Sequence, residues 1–226
     1  MHSILSFNAN DIFEPEIVDA PEYADFLNIK LKIRNLDKRG GCGVYSMYYK
    51  KRLIYVGSYL GTKADPLAGD IFGVRWNKHL YTMTMRGYLV SLAVRPWETI
   101  RDCGLPNANV LGDITDPIFY RARGNPSSKN RAYFALERWN EFMDPNFENT
   151  LSDFEFVYAQ YHQDTIEAAR NVTQLRKQIK LQENCMTIML RPICNRETDV
   201  NDANAENTVK DFKSAFLETA RCHDLL

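Results

Sequence analysis

Residues 43–59 read GVYSMYYKKRLIYVGSY. Two runs rich in Tyr, Val and Ile, at 43–49 and 53–59, flank the polar triplet Lys50-Lys51-Arg52. Aromatic and β-branched side chains suit a pleated, half-buried surface, and a short polar break between two such runs suits a turn. The stretch predicts a β-hairpin with a three-residue connection. Downstream, the Gly-, Pro- and Asp-containing run GTKADPLAGD (61–70) reads as a loop. A short helix is expected around residues 70–82, and YLVSLAV (88–94) reads as a strand.

Residues 96–126 are rich in Gly, Pro and Asn and are expected to be loop with short elements. Tyr133, Phe134, Leu136, Trp139 and Phe142 give a rough apolar stripe that predicts a helix over 131–143. FEFVYAQY (154–161) alternates as a strand, and Asp164-Thr165 can cap a helical stretch over 166–190, open to division in two. Pro192 ends that stretch, and an amphipathic helix is expected near 208–221. Together these elements give an α+β fold, a small antiparallel sheet with packed helices, in a single domain spanning 1–226.

Hydrophobic residues make up 45% of the chain and charged residues 25%, which is ordinary for a globular protein and leaves no room for a membrane span. The start, MHSILSFNANDIFEPE, lacks the basic and apolar regions of a signal peptide, so a cytoplasmic location is expected. The five cysteines are scattered and form no C-x-x-C, which fits reduced thiols. A net charge of −1 argues against a nucleic-acid partner until its distribution is read. Residues 1–27 hold six acids and no Lys or Arg, whereas 28–52 hold eight basic residues and one acid. Further basic runs contain Arg121, Arg123, Lys129 and Arg131, and then Arg170, Arg176, Lys177 and Lys180. Segregated charge lets a near-neutral chain present a basic face, although solvated helix faces explain any single run equally well.

Gly43-Val44-Tyr45 followed by Tyr55-Val56-Gly57 resembles the motif pair of the GIY-YIG nucleases. Arg75 and His79, four residues apart on one face of the expected helix, are similar to that family's Arg/His pair. Glu183, nine residues before Pro192 and twelve before Asn195, is similar to its closing Glu-helix-Pro-x-x-Asn element. The resemblance covers residues 41–80 and 183–195. It implies a sheet of the GIY-YIG type carrying a large insertion, and a DNA endonuclease that uses Mg²⁺ (or Mn²⁺). Within it, Tyr45 would activate the attacking water, Tyr55 would bond the scissile phosphate, and Arg75 would clamp the transition state. His79 would take the proton from the tyrosine, Glu183 would hold the metal, and Asn195 would bind a phosphate or position Glu183. A tyrosine needs neighbours that stabilise its phenolate or accept its proton, and the candidates are His79, Arg75 and the Lys50-Lys51-Arg52 turn. Glu167, at another helix start, competes for the metal role but lacks a Pro-x-x-Asn after it.

Residues 80–182 depart from compact members of that family, which connect these elements in a few dozen residues. The third strand is then either 88–94 or 154–161. The nuclease core is expected over 41–94 plus 154–196, the insertion over 95–153, and an acidic extension over 197–226. Arg121, Arg123, Lys129 and Arg131 in the insertion are expected to read DNA, with Lys50, Lys51, Arg52, Arg176 and Lys177 as further DNA contacts. With no added module in view, the chain looks most like the type II restriction endonucleases of the family. That implies a homodimer, at least on DNA, and a partner methyltransferase acting on the same site. A catalytically inactive nucleic-acid-binding or interaction module on the same fold is the competing reading. A coincidental match in an unrelated α+β protein is a third, and it requires that Tyr45, Arg75 and Glu183 fail to converge.

Overall fold

A computed structural model describes residues 2–17, 29–84, 86, 130–131, 134–135, 137–142, 144, 146–168, 171–195, 206–223 and 225. The chain opens with strand β1 (His2–Asn8), helix α1 (Ala9–Ile12) and the hairpin β2 (Phe13–Ile17) with β3 (Ile29–Ile33). The quoted stretch forms β4 (Cys42–Tyr49) and β5 (Arg52–Leu60). A π-helical turn (Phe72–Trp76) runs directly into α2 (Asn77–Thr84). Then follow α3 (Trp139–Phe142), α4 (Phe147–Ser152), β6 (Phe154–Tyr161), α5 (Gln163–Ala168), α6 (Val172–Leu190) and α7 (Val209–Cys222). Four strands form one antiparallel sheet in the order β1-β6-β4-β5. The α+β reading with a small antiparallel sheet flanked by helices holds.

The hairpin turns on two residues rather than three. Lys50 (φ 48°) and Lys51 (φ 65°) are both left-handed, as a tight turn that matches strand twist requires, and Arg52 already belongs to β5. The third core strand is β6, residues 154–161, which pairs with β4 from Gly43↔Gln160 to Tyr49↔Phe154. Residues 88–94 and 95–129 lie outside the described residues. The expected single helix over 70–82 starts instead as a π-turn, and the 166–190 stretch divides into α5 and α6. Sequence reading assigned nothing to residues 2–8, yet they supply the fourth strand; their burial is only partial, so no clean apolar alternation marks them.

Both faces of the sheet are covered, which is why β4 is buried at all eight residues, with Ser46 the one small polar side chain among apolar and aromatic ones. One face packs Tyr45, Met47, Tyr49, Phe154, Phe156 and Tyr158 against Trp76, Leu80, Phe142 and Leu151. The other packs Val44, Tyr48, Val56, Val157 and Tyr161 against Leu175, Ile179 and Met186 of α6 and Phe212 and Phe216 of α7. Trp76 is the keystone of the first face: fully buried, it stacks on Phe156 at 4.2 Å and meets Tyr45 edge-on. That packing fixes the π-turn, and with it the positions of Arg75 and His79.

A β-bulge sets the phase of β5. The ladder pairs Met47 with Tyr55 and then Tyr48 with Leu53, so Ile54 is the extra residue. Ile54 and Tyr55 therefore share a face, and Tyr55 falls on the side occupied by Tyr45. Among the described residues, no helix is long and apolar enough to cross a membrane.

Candidate active site

Tyr45 projects from the middle of β4 beneath α2, and its hydroxyl lies 2.6 Å from His79 Nε2. The His79 ring stands 4.6 Å from the ring of Tyr55 and 5.7 Å from that of Tyr45. Gly57 lies directly across the ladder from Tyr45. A Cβ there would fall 2.6 Å from the Tyr45 oxygen and 2.7 Å from Tyr55 Cε1, so only glycine lets the two rings come together. Gly43 is constrained differently, since a Cβ would meet the Ala159 carbonyl oxygen at 2.1 Å. Each glycine of the motif pair thus answers to a specific close approach.

Burial dominates the acid–base behaviour of the pair. It pushes the Tyr45 phenol well above its ordinary range, helped by Tyr55 and Glu183 and opposed by Arg75 and Arg131. It pushes His79 well below the ordinary histidine range, and Arg131, Arg75 and Lys78 press the same way. Tyr55 is raised chiefly by burial, with Arg131 and Arg75 opposing. The resting pair is consequently neutral. His79 Nδ1 is buried and has no hydrogen-bond partner.

Glu183 lies on α6, which packs on the opposite face of the sheet, and is tied to the edge strand β5 through Ser58. Its Oε2 accepts a 2.5 Å hydrogen bond from Ser58 Oγ and also the Lys180 ammonium, one turn earlier on the helix. The carboxylate is nearly buried and acts electrostatically on both phenols. Arg75 is exposed, yet its charge acts on Tyr45, Tyr55 and His79. Tyr45, Tyr55 and His79 thus touch one another, while Arg75 and Glu183 act on them through charge. Glu167 does not join them, for its carboxylate accepts from Gln163 on the exposed side of α5.

Asn195 sits at the free edge of β5. Its Oδ1 accepts from Val56 N at 2.8 Å and its Nδ2 donates one N–H to Val56 O at 2.7 Å, the pairing a neighbouring strand would make. With Cys194 N donating to Ile54 O, it closes the free edge of β5 between Tyr55 and Gly57. It thereby positions the tyrosine strand.

Several basic residues expected on DNA are engaged elsewhere. Lys50 pairs with Glu141 at 2.5 Å and lies 3.8 Å from Asp153. The turn also sits roughly 15 Å along β4 from Tyr45, too far to stabilise its phenolate directly. Arg176 donates to the carbonyls of Leu60, Thr62 and Lys63, tying the loop after β5 to α6. Lys51, Arg52 and Lys177 are exposed, and Arg121, Arg123 and Lys129 lie outside the described residues. Arg131 is buried in the site itself, its Cζ 4.7 Å over the Tyr55 ring. Sequence reading missed Ser58 and Lys180. The signals were a lone hydroxyl in an apolar strand and a lysine three residues before Glu183. For Arg131 no local signal pointed to the tyrosines.

Among the described residues no cluster of three or more His, Cys, Asp or Glu is placed to hold a metal. The donor set at Glu183 is a single hard carboxylate whose second oxygen, Oε1, carries no hydrogen bond from the described residues. That fits a cation which takes one carboxylate and keeps most of its waters, as Mg²⁺ does. The chain matches no protein-family model, no curated protein and no solved structure.

Proposed function

We propose that the chain is a Mg²⁺-dependent DNA endonuclease of the GIY-YIG type that cleaves at a specific sequence, as a restriction enzyme does. The observation that supports this reading most is the 2.6 Å contact between Tyr45 and His79, set among Tyr55, Arg75 and Glu183. Phosphodiester hydrolysis needs a deprotonated water, charge neutralisation at the phosphorus and a stabilised leaving oxygen. Tyr45 would take the water's proton while His79 Nε2, 2.6 Å from its hydroxyl, accepts the tyrosine's own. Arg75, exposed and permanently charged, can fork onto the phosphate oxygens. Tyr55 would hydrogen-bond the same phosphate. Glu183, Oε1 foremost, would hold the divalent ion, which when bound supplies Lewis-acid stabilisation of the leaving oxygen. Lys180 rests on that carboxylate and must yield Oε2 if the ion takes both oxygens.

Pairing of two copies on a two-stranded site, and a methyltransferase protecting the same sequence, belong to this proposal. The test is cleavage of unmethylated duplex DNA by the purified chain with Mg²⁺, beside Glu183→Ala and an EDTA lane. Discrete fragments lost in both controls are expected. A smear lost in both controls would keep the nuclease and remove sequence specificity. No cleavage of duplex, branched or single-stranded DNA would leave a binding module on the same fold.

A further inference from the structure

Two arginine side chains are buried among the described residues, Arg86 and Arg131. Arg86 is compensated. Its Nη1 donates to the carbonyls of Phe142 and Asp144, and its guanidinium lies 5.2 Å over the Phe147 ring. Those carbonyl dipoles provide the negative end that a cation needs once water is removed.

Arg131 lacks that compensation. It is only 8% exposed, and its polar neighbours among the described residues are neutral hydroxyls. Thr82 Oγ1 lies 3.3 Å from Nη1, and the Tyr55 phenol lies beneath the guanidinium. Among the described residues its Nε, like that of Arg86, has no hydrogen-bond partner, but unlike Arg86 it donates to no backbone carbonyl, and no carboxylate forms an ion pair with it. A buried charge without a counter-charge is strongly unfavourable, and an apolar residue of similar volume would serve packing better. The arrangement makes sense if an anion completes it. Planar guanidinium groups match phosphate oxygens in a forked geometry, and Arg131 faces the same tyrosines as Arg75.

We propose that Arg131 is a second phosphate ligand of the site, gripping the scissile phosphodiester from the buried side while Arg75 holds it from the exposed side. The inference rests on the nuclease reading for its substrate, but the anion site itself does not depend on turnover. Arg131 follows the 87–129 segment and belongs to none of the matched motif elements, so the intervening chain contributes to chemistry as well as to any DNA reading. The placement also couples binding to proton transfer. After burial, the positive field of Arg131 is the strongest influence that holds His79 low. A phosphate seated on the guanidinium offsets that field, which makes His79 a better proton acceptor only when substrate is present.

The test uses the full chain with Arg131→Met and Arg131→Lys. Melting temperature is followed against inorganic phosphate in EDTA, and cleavage of duplex DNA is followed with Mg²⁺. Phosphate is expected to raise the melting temperature of the wild type and not that of Arg131→Met. Without phosphate, Arg131→Met is expected to melt at or above the wild type, which a merely structural arginine would not do. DNA turnover is expected to fall about 100-fold in Arg131→Met, the scale of losing one transition-state donor, with partial recovery in Arg131→Lys. A phosphate shift that depends on Arg131, in a chain that cleaves no DNA, supports the anion site while removing the nuclease reading. Wild-type cleavage in Arg131→Met, or an equal phosphate shift, overturns the proposal and leaves that reading standing. Should Arg131→Met not fold, Arg131→Lys decides alone: full wild-type turnover and phosphate response in it overturn the proposal, and loss of either supports it.

Discussion

Tyr45 and His79 keep each other uncharged in the resting protein, because burial opposes phenolate and imidazolium alike. That has a consequence for stability. The folded-state pKa of His79 lies below its unfolded value near 6.5, so below that pH the unfolded chain binds the extra proton. Stability from His79 is therefore present above about pH 6.5 and is lost as pH falls toward the folded value. Melting temperature should drop between pH 7 and pH 5, and His79→Gln, which keeps a polar partner for Tyr45, should flatten that limb. His2, also held low by burial, accounts for the slope that remains. An acid limb unchanged in His79→Gln would mean the imidazole is not held neutral. The same crowding acts on Gly57. Gly57→Ala forces a methyl into the space of the Tyr45 oxygen, and the ring cannot retreat because Trp76 and His79 flank it. Such overpacking costs about 1–3 kcal/mol, so the melting temperature should fall and turnover should fall with it. Undiminished activity in a folded Gly57→Ala would separate the tyrosine geometry from catalysis.

The elements carrying these residues differ in how plainly the sequence announced them. The β4–β5 hairpin was legible because both strands are dense in aromatic and β-branched residues, and β6 because its alternation is clean. The hairpin's turn length was not, because its two left-handed positions are lysines rather than the usual Gly or Asn. The π-turn was also hidden: Phe72–Trp76 has ordinary helical composition, and its wider turn comes from seating Trp76 on Phe156. The arrival of Glu183 from α6 was readable from spacing, but its Ser58 bond belongs to tertiary packing. Asn195 illustrates the limit most clearly. Its distance from Glu183 placed it near the site, whereas its actual work is to imitate a neighbouring strand for Val56. Asn195→Ala would strand two buried backbone groups, at about 1–2 kcal/mol each. A chain of this size loses a few degrees of melting temperature per kcal/mol, so a drop of roughly 5–10 °C is expected. If β5 is held by Asn195 as described, hydrogen exchange at the Val56 amide should accelerate selectively. Unchanged protection there would refute the edge-closing role.

At the scale of the whole molecule, the proposed nuclease function makes charge decide how DNA would be approached. The net charge is −1, so long-range attraction is weak and binding must come from local phosphate contacts. The basic runs overstate those contacts, since Lys50 and Arg176 are spent on Glu141 and on backbone carbonyls. Arg75, Arg131 and the exposed Lys51, Arg52 and Lys177 remain from the described residues. If about five phosphates are neutralised, the logarithm of the DNA association constant should fall with the logarithm of salt concentration with a slope of about −4.5. Arg121, Arg123 and Lys129 provide the decisive comparison, because Arg131 must be left intact to keep the site whole. Replacing those three with Gln should reduce the slope by about one for each phosphate they contact and should blur cleavage-site preference if they touch base edges. A triple variant with an unchanged slope and unchanged preference would show that the 95–129 segment does not read DNA. Recognition would then fall to the exposed basic groups of the hairpin tip and of α6.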